Sequence, residues 1–256
     1  MSVATASAGI QVAFRQRLQV ALQEAGAATL AGGVAGGLAV GIGSRVAMRV
    51  VALTSGRIGT GVRPDSGAVP GTFTLEGTMF LIVAGAMFGA VLGLALTFVA
   101  VRWLPERPTA RVLVITAIGG GLVGRALLDP DNVDFALFGP TWLAVGLFAA
   151  CSLGYGLLLA RLWERWRGPR SRVGRVGLPI LGAVGLALPL FPILVGLPIV
   201  GLAVVGLLVL ERATDPDGQV RWWHEPAVTL GGRLLVTAAA VAGGASLVAS
   251  AMRILL

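Results

Sequence analysis

Polar and apolar positions along this chain fall into long blocks rather than a fine alternation. Five stretches carry no charged residue: Ala25 to Gly43, Gly77 to Val101, Phe135 to Ala160, Val176 to Leu210 and Leu234 to Met252. Each is long enough for a helix of about 20 residues to cross a hydrocarbon layer of about 30 Å. Backbone groups in lipid must find their hydrogen bonds within the segment, so runs of this length become helices. A closed barrel would need a period of two, which these runs lack. A sixth stretch, between Arg111 and Arg125, is only about 20 Å of helix. To cross, it must extend to about Leu128, which leaves Arg125 one turn inside the helix end. The run Val176 to Leu210 is over about 50 Å long, too much for one crossing, and Pro189 and Pro192 interrupt its hydrogen-bond ladder. Read as a tight hairpin it gives seven spans; read as one kinked helix it gives six. The expected fold is therefore an all-α, polytopic transmembrane helix bundle of seven spans.

The flanking segments complete this organisation. Residues 1–24 lack the basic start and early apolar core of a secretory signal. Ile10, Ala13, Phe14, Leu18, Ala21 and Leu22 recur at helical spacing, which predicts an amphipathic helix in the headgroup region. Residues 25–256 form the transmembrane domain. Between Thr54 and Thr78 lies a Gly- and Pro-rich loop whose Thr72-Phe73-Thr74-Leu75 alternation predicts a small hairpin. Asp215-Pro216-Asp217-Gly218 marks a turn before the last span, from about Val228 to Leu256.

Composition agrees with a membrane protein. Of 256 residues 56% are hydrophobic and 12% charged, about half the charged share of a soluble domain. The net charge is +8 and all twenty basic residues are Arg. These arginines cluster at the ends of apolar runs without interleaved aromatics on a polar surface. They therefore point to anionic lipid headgroups and not to nucleic acid. With the N-terminus cytoplasmic, eleven arginines face inward: Arg15, Arg17, Arg102, Arg107, Arg111 and the six from Arg161 to Arg175. Five face outward: Arg45, Arg49, Arg57, Arg63 and Arg125. That asymmetry predicts an N-in orientation in a bacterial cytoplasmic (inner) membrane. Trp103, Trp163, Trp166, Trp222 and Trp223 sit at expected span ends, as an interfacial belt requires.

A few constellations are chemically distinctive. Gly33, Gly37 and Gly41 recur every fourth residue in the first span, and Gly85, Gly89 and Gly93 in the second. Such stripes predict close helix packing. Arg125 is a candidate intramembrane charge site, with Asp129 one turn away as its ion-pair partner. Asp129, Asp131 and Asp134 offer oxygen ligands for a metal. The central Gly and distant Glu of a helical-hand calcium loop are missing, so a helix stop at Pro130 and an Asp134 cap are the plainer reading.

The segment from Leu128-Asp129-Pro130-Asp131-Asn132 to Phe135, with Leu137-Phe138-Gly139-Pro140, resembles one in uncharacterised multi-pass membrane proteins of GC-rich bacteria. That resemblance implies a membrane bundle and no activity. Ile115-Thr116-Ala117-Ile118-Gly119-Gly120-Gly121 and Arg125 are similar to a glycine-triplet and Arg motif of trimeric intracellular cation channels. There the Arg follows the glycines more closely and an acid comes next, whereas here Ala126 follows.

Absent residues narrow the function. Without Lys there is no retinal Schiff base, and the lone His224 excludes bis-His haem within one chain. One cysteine, Cys151, allows no internal disulfide. No cofactor and no catalytic residue is expected. The leading reading is a non-enzymatic accessory or scaffold subunit that packs against partner membrane helices or a second copy. The alternative is a channel or transporter for anions, using Arg125 and the Pro-broken stretch 176–210.

Overall fold

The computed structural model describes residues 3–56, 74–99, 103–132, 135, 139–167 and 226–256. Among them the chain is all-α, in the order α1 (Val3–Ala35), π1 (Gly36–Ile42), α2 (Gly43–Thr54), α3 (Leu75–Gly93), π2 (Leu94–Val99), α4 (Pro108–Leu127), α5 (Thr141–Trp166) and α6 (Pro226–Leu255). Five stretches are long and apolar enough to cross a membrane: Leu18–Thr54, Leu75–Thr97, Pro108–Leu127, Thr141–Trp166 and Pro226–Leu255. The expected hairpin over Val176 to Leu210, the Asp215–Gly218 turn, His224 and Asp134 lie outside the described residues.

Local chemistry sets several boundaries. Thr74 is extended and its hydroxyl accepts from the Gly77 N–H at 3.3 Å. It is an N-cap, so Leu75 is the first helical residue and not the end of a strand. The expected hairpin is corrected on that side, and Thr72 and Phe73 are outside the described residues. Pro108 opens α4 at a position where its missing N–H costs no hydrogen bond. The first helix runs without interruption from α1 through π1 into α2, and no break separates residues 3–24 from the span that follows.

The first two spans are antiparallel and their backbones come close. A Cβ on Gly36 would stand 2.9 Å from Gly89 Cα, and one on Gly41 would stand 2.6 Å from Ile82 Cα. One on Gly93 would stand 2.6 Å from Gly32 Cα. The contact line on the first span is thus Gly32, Gly36 and Gly41. Gly33 and Gly37 sit beside it, their Cβ positions at ordinary distances of 3.5–3.8 Å from Ala86, Ala90 and Ile82 atoms. The reason lies in π1, whose wider turn shifts the repeat from four residues to five between Gly36 and Gly41.

Several Ser and Thr hydroxyls inside the bundle return to their own helices. Thr29 donates to Ala25 O at 2.9 Å, Thr97 to Gly93 O at 2.6 Å, and Ser152 to Phe148 O at 2.8 Å. Ser44, just past π1, turns its hydroxyl to the Gly41 and Val40 carbonyls. These bonds satisfy polar groups where no water is at hand. The core runs along α1, α4 and α5 through Ala25, Ala28, Ile115, Ile118, Tyr155, Leu159 and Trp163. A smaller cluster of Val51, Leu128, Phe135, Ala144, Val145 and Leu247 closes the opposite end.

Candidate functional site

Three groups of polar side chains stand out against this apolar background. The first is a charge clasp at the Trp163 end of the bundle. Arg111, in the first turn of α4, is only 10% exposed at its side chain. Its Nη1 donates to Glu164 Oε1 at 2.9 Å, its Nε to Pro105 O at 2.9 Å, and its Nη2 to Glu106 O at 2.9 Å. One guanidinium therefore ties α5 to α4 and also fastens the connection that leads into α4. Arg167 holds the other Glu164 oxygen at 2.9 Å. Both guanidinium carbons lie near the Trp163 ring, at 5.9 Å for Arg111 and 4.9 Å for Arg167, within cation–π range. Arg233 of α6 reaches Glu106 at 3.9 Å, a long contact to a 94%-exposed carboxylate that contributes little. Trp103 lies against Gly232 on the same side.

In the sequence Arg111 stands out only as an inward charge, and Glu164 does not stand out. The available signal was modest: Glu164 is the lone acid within the Arg161 to Arg175 cluster. Its partner is 53 residues away and not on its own helix.

The second group is Tyr155, fully buried in α5, whose hydroxyl donates to Gly89 O of α3 at 3.0 Å. Gly119 makes room for its ring, since a Cβ there would stand 3.3 Å from Tyr155 Cε1. The chain's only tyrosine thus joins α5 to the line where the first two spans meet.

The third group is Arg45 and Arg125, near the opposite end. Heights within the bundle follow from contacts between neighbouring helices. Arg233 and Arg253, both exposed on α6, are about 30 Å apart along the helix. Trp142 and Arg161, both exposed on α5, are about 28 Å apart. Only apolar side chains are exposed on α5 between them: Gly146, Ala150, Leu153 and Leu157. Both separations are close to the thickness of a hydrocarbon layer. A Cβ on Gly124 would stand 3.4 Å from Leu247 Cγ and 3.6 Å from Ser152 Oγ. Arg125 is therefore level with Val248 and Cys151, about 8 Å of helix short of Arg253 and about 14 Å short of Trp142. In the other direction Arg111 is about 21 Å away. Gly43 packs on Cys151 Sγ, which sets Arg45 only about 3 Å beyond the height of Arg125. Both arginines thus stand level with the apolar stretches of α5 and α6.

Arg45 packs against Gly77 in the first turn of α3, and among the described residues its buried Nε has no hydrogen-bond partner. Arg125 is exposed. Among the described residues it forms no ion pair with Asp129, whose carboxylate instead accepts from the Asp131 N–H at 3.1 Å. That bond, with Asn132 N–H to Asp129 O at 3.2 Å, makes a turn after α4. Asp129 and Asp131 are exposed there, and Asp134 is outside the described residues. Among the described residues no group of three His, Cys, Asp or Glu side chains is placed to hold a metal ion.

Comparison with protein-family models, with curated proteins and with solved structures finds no match to this chain. The length and apolarity of its helices are those of an integral membrane protein.

Proposed function

We propose that the chain is a non-enzymatic, multi-pass membrane protein that serves as an accessory or scaffold subunit among partner helices. The observation that carries this reading is the outer face of α6. In its most apolar window 11% of residues are buried, against 67% in the first span. Small side chains recur on the exposed face at Ala238, Ala242, Ala245 and Ala249, a spacing suited to close approach by another helix. Purification in mild detergent is expected to yield a stable companion or a homo-oligomer. A monodisperse monomer would count against the reading.

The proposed topology has seven spans with the N-terminus cytoplasmic in a bacterial inner membrane. The support is a parity argument. Arg167 ends α5 beside the Arg111 clasp, and α6 begins on that same side, where Arg233 meets Glu106. A chain that leaves and returns at one side crosses an even number of times in between, none or two, which fits five or seven spans and not six. The described arginines on that side, Arg15, Arg107, Arg111, Arg161, Arg165, Arg167 and Arg233, outnumber Arg45, Arg49, Arg125 and Arg253 opposite, in keeping with a cytoplasmic assignment. The same cluster is suited to anionic lipid headgroups. Reporter domains inserted near Arg170 and near Asp217 should report the same side; opposite sides would remove the seven-span reading.

The second reading is an anion channel or transporter. It is favoured by the buried, unpartnered Arg45 Nε at nearly the same depth as Arg125. Anion flux into liposomes that falls on Arg125→Ala or Arg45→Ala would support it, and absent flux would remove it.

A further inference from the structure

Arg125 is set apart from the other exposed arginines by its depth, its direction and its neighbours. Arg233, Arg253 and Arg161 mark the edges of the apolar belt, whereas Arg125 stands inside it. A helical Cα–Cβ bond tilts toward the helix N-terminus. In α4 that direction leads toward Arg111, away from the nearer membrane surface, so the side chain begins its path pointing deeper. Snorkelling would have to reverse that direction. Among the described residues the exposed side chains beside it are Leu122 and Ala126 on α4 and Val248 on α6, with exposed Asp129 one turn beyond. Asp129, the nearest acid in sequence, is held by its own turn.

We propose that Arg125 is the docking point for a transmembrane helix of a partner protein that carries one carboxylate at matching depth. This rests on the accessory-subunit reading and names the chemistry of the partner. A carboxylate that meets a guanidinium in hydrocarbon keeps both groups charged and hydrogen-bonded, which neither achieves alone against lipid. The surrounding Leu122, Ala126 and Val248 supply the apolar collar that excludes water from the pair.

The test uses the full chain in liposomes with synthetic Leu-rich transmembrane helices. One helix carries a single Asp about 10 Å beneath one surface, a depth set by the helix rise from Arg125 to the belt edges. Control helices carry Asn or Leu at that position. Energy transfer between labelled protein and labelled helix is expected to show at least tenfold tighter association for the Asp helix. That preference should vanish in Arg125→Gln and return in Arg125→Lys. Equal association of the three helices with the unmodified protein overturns the proposal, and so does a preference that survives Arg125→Gln. The comparison of the three helices on the unmodified protein needs no variant. A lone monomer in mild detergent would defeat the accessory-subunit reading by a different measurement, so the two failures are distinguishable.

Discussion

The first span and the last are both long apolar helices, yet they occupy opposite places in the bundle. The first has the lower mean hydropathy, 1.6 against 1.9, and is 67% buried where the last is 11% buried. The span Leu75–Thr97 is more apolar still, at 2.4, and only 28% buried. In water such an ordering would be paradoxical, since burial follows apolar area. In lipid it is natural: hydrocarbon solvates Leu and Val as well as a protein core does, and helices associate where small residues let backbones meet. Ala25, Ala28, Ala31 and Ala35, with Gly32 and Gly36, place the first span at the centre. Leu234, Leu235 and Val241, each more than 60% exposed, leave α6 on the rim.

This contrast can be broken or sharpened by substitution. The largest effect is expected for Gly36→Leu, where even a Cβ would meet the Gly89 backbone. Separating the two helices should cost more than about 3 kcal/mol or abolish the folded bundle, as read by thermal unfolding in detergent. Gly244→Leu on α6 enters open space and should change stability by less than about 0.5 kcal/mol; equal losses would end the comparison. Next comes Arg111→Ala, which strips Glu164 of a partner and frees the Pro105 and Glu106 carbonyls. A loss of about 2–3 kcal/mol is expected, below that of a fully buried pair because both side chains retain some exposure. Tyr155→Phe removes a single bond between helices and should cost about 1 kcal/mol in the same unfolding measurement. The smallest effect on stability is expected for Ala242→Leu, within about 0.5 kcal/mol. That variant should nonetheless release a companion copurified with the unmodified protein, if α6 presents its docking face.

The sites were legible in the sequence to different degrees. The length of the Arg111 to Leu128 stretch and the need to cross hydrocarbon already placed Arg125 inside the end of its helix. Its lack of a bond to Asp129 was not legible, because spacing alone does not say which way a carboxylate turns once the helix has ended. The glycine line was legible as a period and misplaced by one residue on the first span, since a repeat of four presumes a regular α-helix and π1 is wider. Glu164 carried only a modest local signal, its i,i+3 neighbour Arg167, and the hydroxyl of Tyr155 none, because Arg111 and Gly89 lie 53 and 66 residues away.

By itself the sequence determined the solvent of this protein. Runs of about 20 uncharged residues bounded by arginine are a local property, and the transfer of each run into hydrocarbon depends on little beyond its own composition. Tertiary structure alone decided which helix is central, which glycines meet, and which arginine is clasped and which left facing outward. Those outcomes depend on the rotation and height of each helix relative to its neighbours, and contacts between distant segments set both.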